Sequence, residues 1–373
     1  MTIHNAGMPL LPDVTDTLAT LEAIGSQPTV PYHEHAPLRA IREHIEALGI
    51  ETSTDRYGQL HARLQRGEAK RALVLMAHTD HPGFAISEAE GRVGRVRVSG
   101  GLHARCFGGP VRVQVHDDEG SAPVSAVIDR YVHDPDVPNN SPGHARIRAD
   151  APLRAGQWAV LDLPGLAVHG DDLHMRAADD LAGCALIVLA LSQLRTEARP
   201  FDVHVAFTRA EETGLFGARL IAEDGLIPKE AYVVSLEASN ARYAPAGEGI
   251  VVRTGDLYNT FSNDAERYLR VAQEELELAG IRTQRRLLPG GTCEASAFVR
   301  LGWIATGIAL PNVNYHNDPE DGTFAAEIIS LTDVLSGVAL LQSAAVAAGA
   351  DASESWWPEA RRVPDEIRKL LQR

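Results

Sequence analysis

The apolar positions of this chain fall into contrasting textures, and each predicts its own elements. In 36–48 the residues Leu38, Ile41, Ile45 and Leu48 recur at helical spacing before a stop at Gly49, and 13–25 reads the same way. A strand-like run at 59–64 follows the turn signal Asp55-Arg56-Tyr57-Gly58. The unbroken apolar run 73–77 predicts a strand buried on both faces. From 84 to 175 the texture changes: 94–100, 110–120, 125–132 and 158–163 alternate apolar and polar residues and stop at Gly, Pro or Asp. No helix of ordinary length fits there, so 84–175 reads as a small all-β domain inserted into an α/β frame made of 1–83 and 176–350. A polar stretch, 133–144, interrupts the insert. Beyond 176 the reading is an apolar helix at 179–194, a strand at 201–207, a helix at 214–225 and a buried strand within 230–239. An amphipathic helix at 265–280, a strand at 303–310 and a closing helix at 326–349 follow. Residues 351–373 form a separate charged tail carrying Trp356 and Trp357.

Composition narrows the function classes. The chain has 373 residues with 45% hydrophobic content, ordinary for a globular protein. A net charge of −15 argues against nucleic acid or an anionic membrane as partner. Cys106, Cys184 and Cys293 are odd in number and far apart, which suits a reducing compartment without a disulfide framework. The first residues show no basic region followed by an apolar core, and the longest apolar run, 184–191, is too short to span a bilayer. These features set the expectation of a soluble, cytoplasmic protein.

The chemistry lies where predicted strands end. The buried strand 73–77 delivers His78 and Asp80 to its own terminus, the place where α/β sheets hold ligands. Asp179-Asp180 open an apolar helix, Glu211-Glu212 lie between a strand and a helix, Glu237 ends a buried strand, and His316 follows another. Each has an ordinary explanation, since acids at helix starts cap amides and complement the dipole. Jointly the order His, Asp, Glu-Glu, Glu, His fits a two-metal hydrolytic site. Such a site needs a bridging carboxylate, a carboxylate and a His for each metal, and a spare base. Nitrogen and oxygen donors without cysteine suit zinc first, with cobalt or manganese as alternatives.

The ordered motifs His78-Thr79-Asp80, Ala178-Asp179-Asp180, Ala210 through Gly214, Leu236 through Ser239 and Asn314 through Asn317 resemble the cocatalytic metallopeptidases. Within that group the chain is most similar to the tetrahedral, or glutamyl, aminopeptidases, also called cellulase M-like, over roughly residues 15–345. The resemblance implies a mixed central sheet flanked by helices, with the inserted β-domain used to pair subunits into a dimer or a closed dodecamer. It makes Asp179 the bridging ligand of two divalent metal ions, with His78 and Glu237 on one and Glu212 and His316 on the other. Asp80 would orient the His78 ring, and a cis peptide would follow Asp179. The implied activity is removal of N-terminal residues from peptides by an activated water, with Glu211 as general base and then acid. The chain departs from the family at Glu237, where the pattern has Asp, at His81, where it has Glu, and at Cys293, where it has Asp; Glu294 is the acid nearest that last place. Those departures keep open a deacylase or carboxypeptidase acting on N-acylated small molecules. A metal-binding assembly protein without turnover is the alternative from another class.

Overall fold

The computed structural model describes residues 11–132, 143–352 and 363–372. Most of the polar stretch 133–144, and Trp356 and Trp357 of the tail, lie outside them.

The strand Leu73–His78 is buried along its whole length and pairs in parallel with Phe201–Thr208 on one side and Tyr232–Ser235 on the other. Such two-sided burial is what an unbroken apolar run encodes. Outward from these, the sheet runs Thr52–Thr54, Leu60–Arg66, Phe201–Thr208, Leu73–His78, Tyr232–Ser235, Ala305–Asn312, Val251–Gly255, Gln284–Leu287. Ala305–Asn312 is also parallel to its neighbour Tyr232–Ser235, so four consecutive strands end along one edge of the sheet. The helices Ala178–Leu194 and Leu331–Ala350 bury their apolar residues against one face. Phe216–Asp224 and Glu294–Arg300 cover the other, with Val74, Met76, Val233 and Phe298 between them. Leu331–Ala350 is long and apolar enough to cross a membrane, but it is mostly buried as a core helix here.

The structure corrects three local expectations. The closing helix expected over 326–349 begins as a strand, Glu327–Ser330, which pairs with Asp172–Met175. It turns helical only at Leu331, where the Ser330 hydroxyl accepts from the Asp333 amide as an N-cap. The strand expected within 230–239 is broken into Tyr232–Ser235 and Ala238–Asn240, leaving Leu236 and Glu237 at the break. The strands Val251–Gly255 and Gln284–Leu287 and the helix Glu294–Arg300 are too short or too polar to have shown a period.

The β-rich segment closes into a six-stranded antiparallel barrel, in the order Gly83–Glu90, Val93–Ser99, His144–Ala149, Val124–Val132, Val111–His116, Trp158–Leu161. Its core comes from the alternating positions, for example Val111, Val113 and Val115 facing Val96, Ile128 and Ile147. Residues 167–175 are not barrel strands; they form a hairpin whose second strand, Asp172–Met175, pairs with Glu327–Ser330 and sends Leu173 and Met175 into the core of the α/β layer. The entry into the barrel is tight. A Cβ on Gly83 would stand 2.3 Å from Val30 Cγ1 and 2.9 Å from the Ala159 carbonyl oxygen. Gly83→Ala is therefore expected to cost about 1–3 kcal/mol through overpacking, measured as a lowered urea midpoint; an unchanged midpoint would show that Val30 yields freely.

Candidate metal centre

The shared edge of the four parallel strands collects every residue expected at the site. His78 ends its strand, Glu211 and Glu212 follow Phe201–Thr208, Glu237 lies at the break after Tyr232–Ser235, and His316 follows Ala305–Asn312. Asp179 comes from the helix side. Its backbone and that of Asp180 are non-helical, and the peptide bond between them is cis, as the resemblance implies.

These side chains form two groups that meet at Asp179. His78 Nε2 lies 3.3 Å from Asp179 Oδ1 and 3.7 Å from Glu237 Oε2. His316 Nε2 lies 3.6 Å from the other oxygen, Asp179 Oδ2, and 3.5 Å from Glu212 Oε1. In each group the donor atoms stand within 4.8 Å of one another. Glu212 Oε1 is buried without a hydrogen-bond partner among the described residues. A buried carboxylate oxygen left without a hydrogen bond is costly, and a cation held between it and its neighbouring donors would satisfy it. The donor set, imidazole and carboxylate shared through one aspartate, fits two divalent cations. Glu211 belongs to the same space, within 4.8 Å of His78 and Glu212, without a place in either of the two groups that share Asp179.

Backbone groups orient the ligands. Both imidazoles offer Nδ1 to a main-chain carbonyl, His78 to Asp80 at 3.1 Å and His316 to Gly101 of the barrel segment at 2.9 Å. That leaves both Nε2 atoms facing the carboxylates. The Asp80 carboxylate stands 3.6 Å from His78 Nδ1, and its hydrogen bonds go elsewhere: it accepts from the amides of Glu211 at 2.9 Å and Glu212 at 3.0 Å. Asp80 thus holds the Glu211 loop, and its backbone rather than its side chain receives the histidine. Glu327, which the sequence reading passed over, accepts from the Asp179 amide at 3.0 Å, the His316 amide at 2.8 Å and Asn312 Nδ2 at 2.9 Å. It ties both halves of the site together from a position inside what read as a helix.

The electrostatics are those of crowded acids. Burial first, then Asp179, pushes Glu212 up to about 7 and Glu327 up to about 8. Burial and neighbouring acids push Glu211 and Asp180 well up. Burial would pull His316 down, but Glu212 and Asp179 outweigh it and carry it to about 10. His81, at the first departure, is driven by burial down to about 4 and pairs through Nδ1 with the Asp179 carbonyl, locking the turn at the bridging residue. Cys293 is fully buried with its thiol pushed up by burial, a packed small residue rather than a nucleophile. Glu294 is fully buried beside it, accepts from the Thr208 hydroxyl, and has Oε2 without a hydrogen-bond partner among the described residues.

Arg253 is a further group the sequence did not reveal, because it lies on a strand that showed no period. Its guanidinium is buried near Glu237, Cys293, Asp256 and Tyr315, yet among the described residues it forms no ion pair. Nη1 donates to Ser239 Oγ at 3.4 Å, and Nε has no acceptor.

Comparison with known proteins shows what the chain is similar to. A family model described as M42 glutamyl aminopeptidase matches residues 58–335. A protein of Acetivibrio thermocellus, named as a candidate aminopeptidase, is 24% identical over 321 residues, covering 82% of this chain and 91% of that one. An aminopeptidase from the archaeon Desulfurococcus kamchatkensis has a solved structure that matches with a TM-score of 0.75 at 22% identity, covering 92% of this chain and 98% of that one. The TET1 peptidase of Pyrococcus horikoshii, described as able to assemble into a tetrahedron or a large octahedral shell, gives 0.72 at 23% identity, covering 88% and 99%. At these identities the solved structures share the fold with this chain.

Because Glu327 holds the amides of Asp179 and His316, Glu327→Ala is expected to weaken divalent-cation binding by about 10–100-fold. Competition with a chromophoric chelator measures this, and wild-type affinity in a folded variant would refute it.

Proposed function

Since the chain belongs to the M42 glutamyl aminopeptidase family, and so is a peptidase, we propose that it is a dinuclear metal-dependent aminopeptidase removing N-terminal residues from peptides. The observation that carries this is the division of Asp179 between two histidines, one oxygen toward each Nε2, with Glu237 and Glu212 completing the two groups. In this reading His78, Asp179 and Glu237 hold one ion, and Glu212, His316 and the same Asp179 hold the other, zinc being the first choice and cobalt or manganese the alternatives. When bound, two such cations acidify water and take up charge developing on a carbonyl oxygen.

The protein's own residues supply the rest. Glu211 takes the proton of the attacking water and returns it to the leaving amine. Its burial raises its proton affinity, which suits a group that must both accept and give. Asp80 keeps it in place through the two loop amides. The surplus of acids favours a substrate bearing a free, cationic α-amino group, which separates an aminopeptidase from a deacylase. Arg253 adds a preference at the residue being removed: a buried guanidinium that forms no ion pair among the described residues suits an acidic side chain. The inserted β-domain, residues 84–175, is read as the assembly domain of a homo-oligomer, dimer or dodecamer; the assembly of the Pyrococcus horikoshii peptidase supports this.

Glu211→Gln is expected to keep metal content and fold while kcat falls by about 10²–10⁴, and full turnover in that variant would sink its assignment. Free-amine peptides should be cleaved and their N-acetylated twins left intact; the reverse preference would move the enzyme to the deacylases. The ratio of kcat/KM for glutamyl over leucyl arylamides should exceed one and collapse in Arg253→Met. A ratio indifferent to that change would remove Arg253 from substrate recognition.

A further inference from the structure

The connector between the first two helices, residues 27–34, touches more of the machinery than its length suggests. The Thr29 hydroxyl donates to the Thr79 carbonyl at 2.7 Å, within the loop that carries His78 and Asp80. Glu34 is fully buried; its Oε1 accepts from the amides of Tyr32 at 2.8 Å and Ala210 at 3.0 Å, and its Oε2 from Arg209 Nε at 2.7 Å. Arg209 in turn donates to the carbonyls of Tyr57 at 2.9 Å and Tyr32 at 3.0 Å. The Tyr32 and Thr213 hydroxyls share a hydrogen bond of 3.0 Å.

Together with Asp80, this gives three successive amides, those of Ala210, Glu211 and Glu212, to two buried carboxylates. Tyr32 and Ala210 both have positive φ, 75° and 55°, which non-glycine residues adopt only when their surroundings over-determine them. Glu34 joins these two strained positions. Next to it, His33 pairs with Asp118 of the barrel segment at 2.9 Å and stacks on Trp158, whose Nε1 also donates to Asp118 at 3.1 Å. Trp158 also stacks with His116, with ring centres 4.9 Å apart. The chain of contacts therefore runs from a barrel turn, through two adjacent connector residues, to the amide of Ala210, the residue before Glu211.

We propose that Glu34 is a positioning residue for Glu211, and that the His33–Asp118 joint makes the position of the base depend on how the barrel is seated. This rests on the assignment of Glu211 as base. The prediction separates it from a merely structural role, because a structural residue would lower activity only by lowering the folded fraction. Glu34→Gln preserves shape and removes the charge facing Arg209; Asp118→Ala removes the barrel's hold on His33.

The test pairs hydrogen–deuterium exchange with kinetics on the metal-loaded full chain, in both single variants and the double. Exchange at residues 210–212 should quicken by at least about tenfold in each single variant while the strand Leu73–His78 stays protected. In kinetics kcat should fall, by about tenfold for Glu34→Gln and several-fold for Asp118→Ala, with KM and metal content within about threefold of wild type. The double variant should lose less than the product of the single losses, since both act through one connector. Unchanged exchange at 210–212, losses that multiply, or a fall in metal content in place of kcat would each overturn the proposal. If Glu34→Gln fails to fold, Glu34→Asp and Asp118→Ala carry the same exchange test. The exchange arm needs no turnover: loosening at 210–212 in a chain that cleaves no peptide would support the connector and sink the aminopeptidase reading instead.

Discussion

Repulsion among buried carboxylates is the constraint around which this protein is arranged. Asp80, Asp179, Asp180, Glu211, Glu237, Glu294 and Glu327 are all buried, and Glu212 stands with them at the end of the same strands. Left to electrostatics they would spread apart or take up protons. The fold opposes this with parallel strands that end together and with pairs of backbone amides aimed at three of the acids around the site. Asp80 receives Glu211 and Glu212, Glu327 receives Asp179 and His316, and Glu34 receives Tyr32 and Ala210. Hydrogen bonds to a charged acceptor are among the stronger ones available, and here they fix three loops at once.

This divides the acids into two kinds. Asp80, Glu327 and Glu34 are satisfied by amides and act as frame, while Asp180, Glu212 and Glu294 keep oxygens without a hydrogen-bond donor among the described residues; of these, Glu212 stands in a group of donors that could hold a cation. The division also explains why a sheet of this topology suits the chemistry. Four parallel strands bring four loops to one edge, so each loop needs to supply only one or two side chains.

Much of the α/β frame was legible because its signals are local. The run Leu73–Ala77 could only be a two-sided strand, and the alternation at Val111, Val113 and Val115 could only be half-buried β. The acids and histidines proposed as ligands were legible because each interrupts such a run at its end. The supporting groups were not. Glu327 sits in a short strand whose residues Glu-Ile-Ile-Ser continue the period of the helix behind them. Glu34 lacks any pattern around it, and its partner Ala210 is 176 positions away. Gly101 acts through its carbonyl, which every residue has, so no sequence pattern marks it. Arg253 is conspicuous only once the fold shows its guanidinium buried without an ion pair among the described residues.

The choice of main-chain carbonyls as acceptors for both histidine Nδ1 atoms bears on how this molecule could diverge. A carboxylate partner is lost in a single codon change, whereas the carbonyls of residues 80 and 101 remain whatever side chain those residues carry. The two imidazole orientations are thereby insulated from drift at the acceptors themselves. Only the space around them is exposed to selection, as at Gly101, where an added Cβ would lie 2.7 Å from His316 Nδ1. A scaffold that writes its ligand geometry into the backbone can let most of its surface sequence wander while the site keeps its shape.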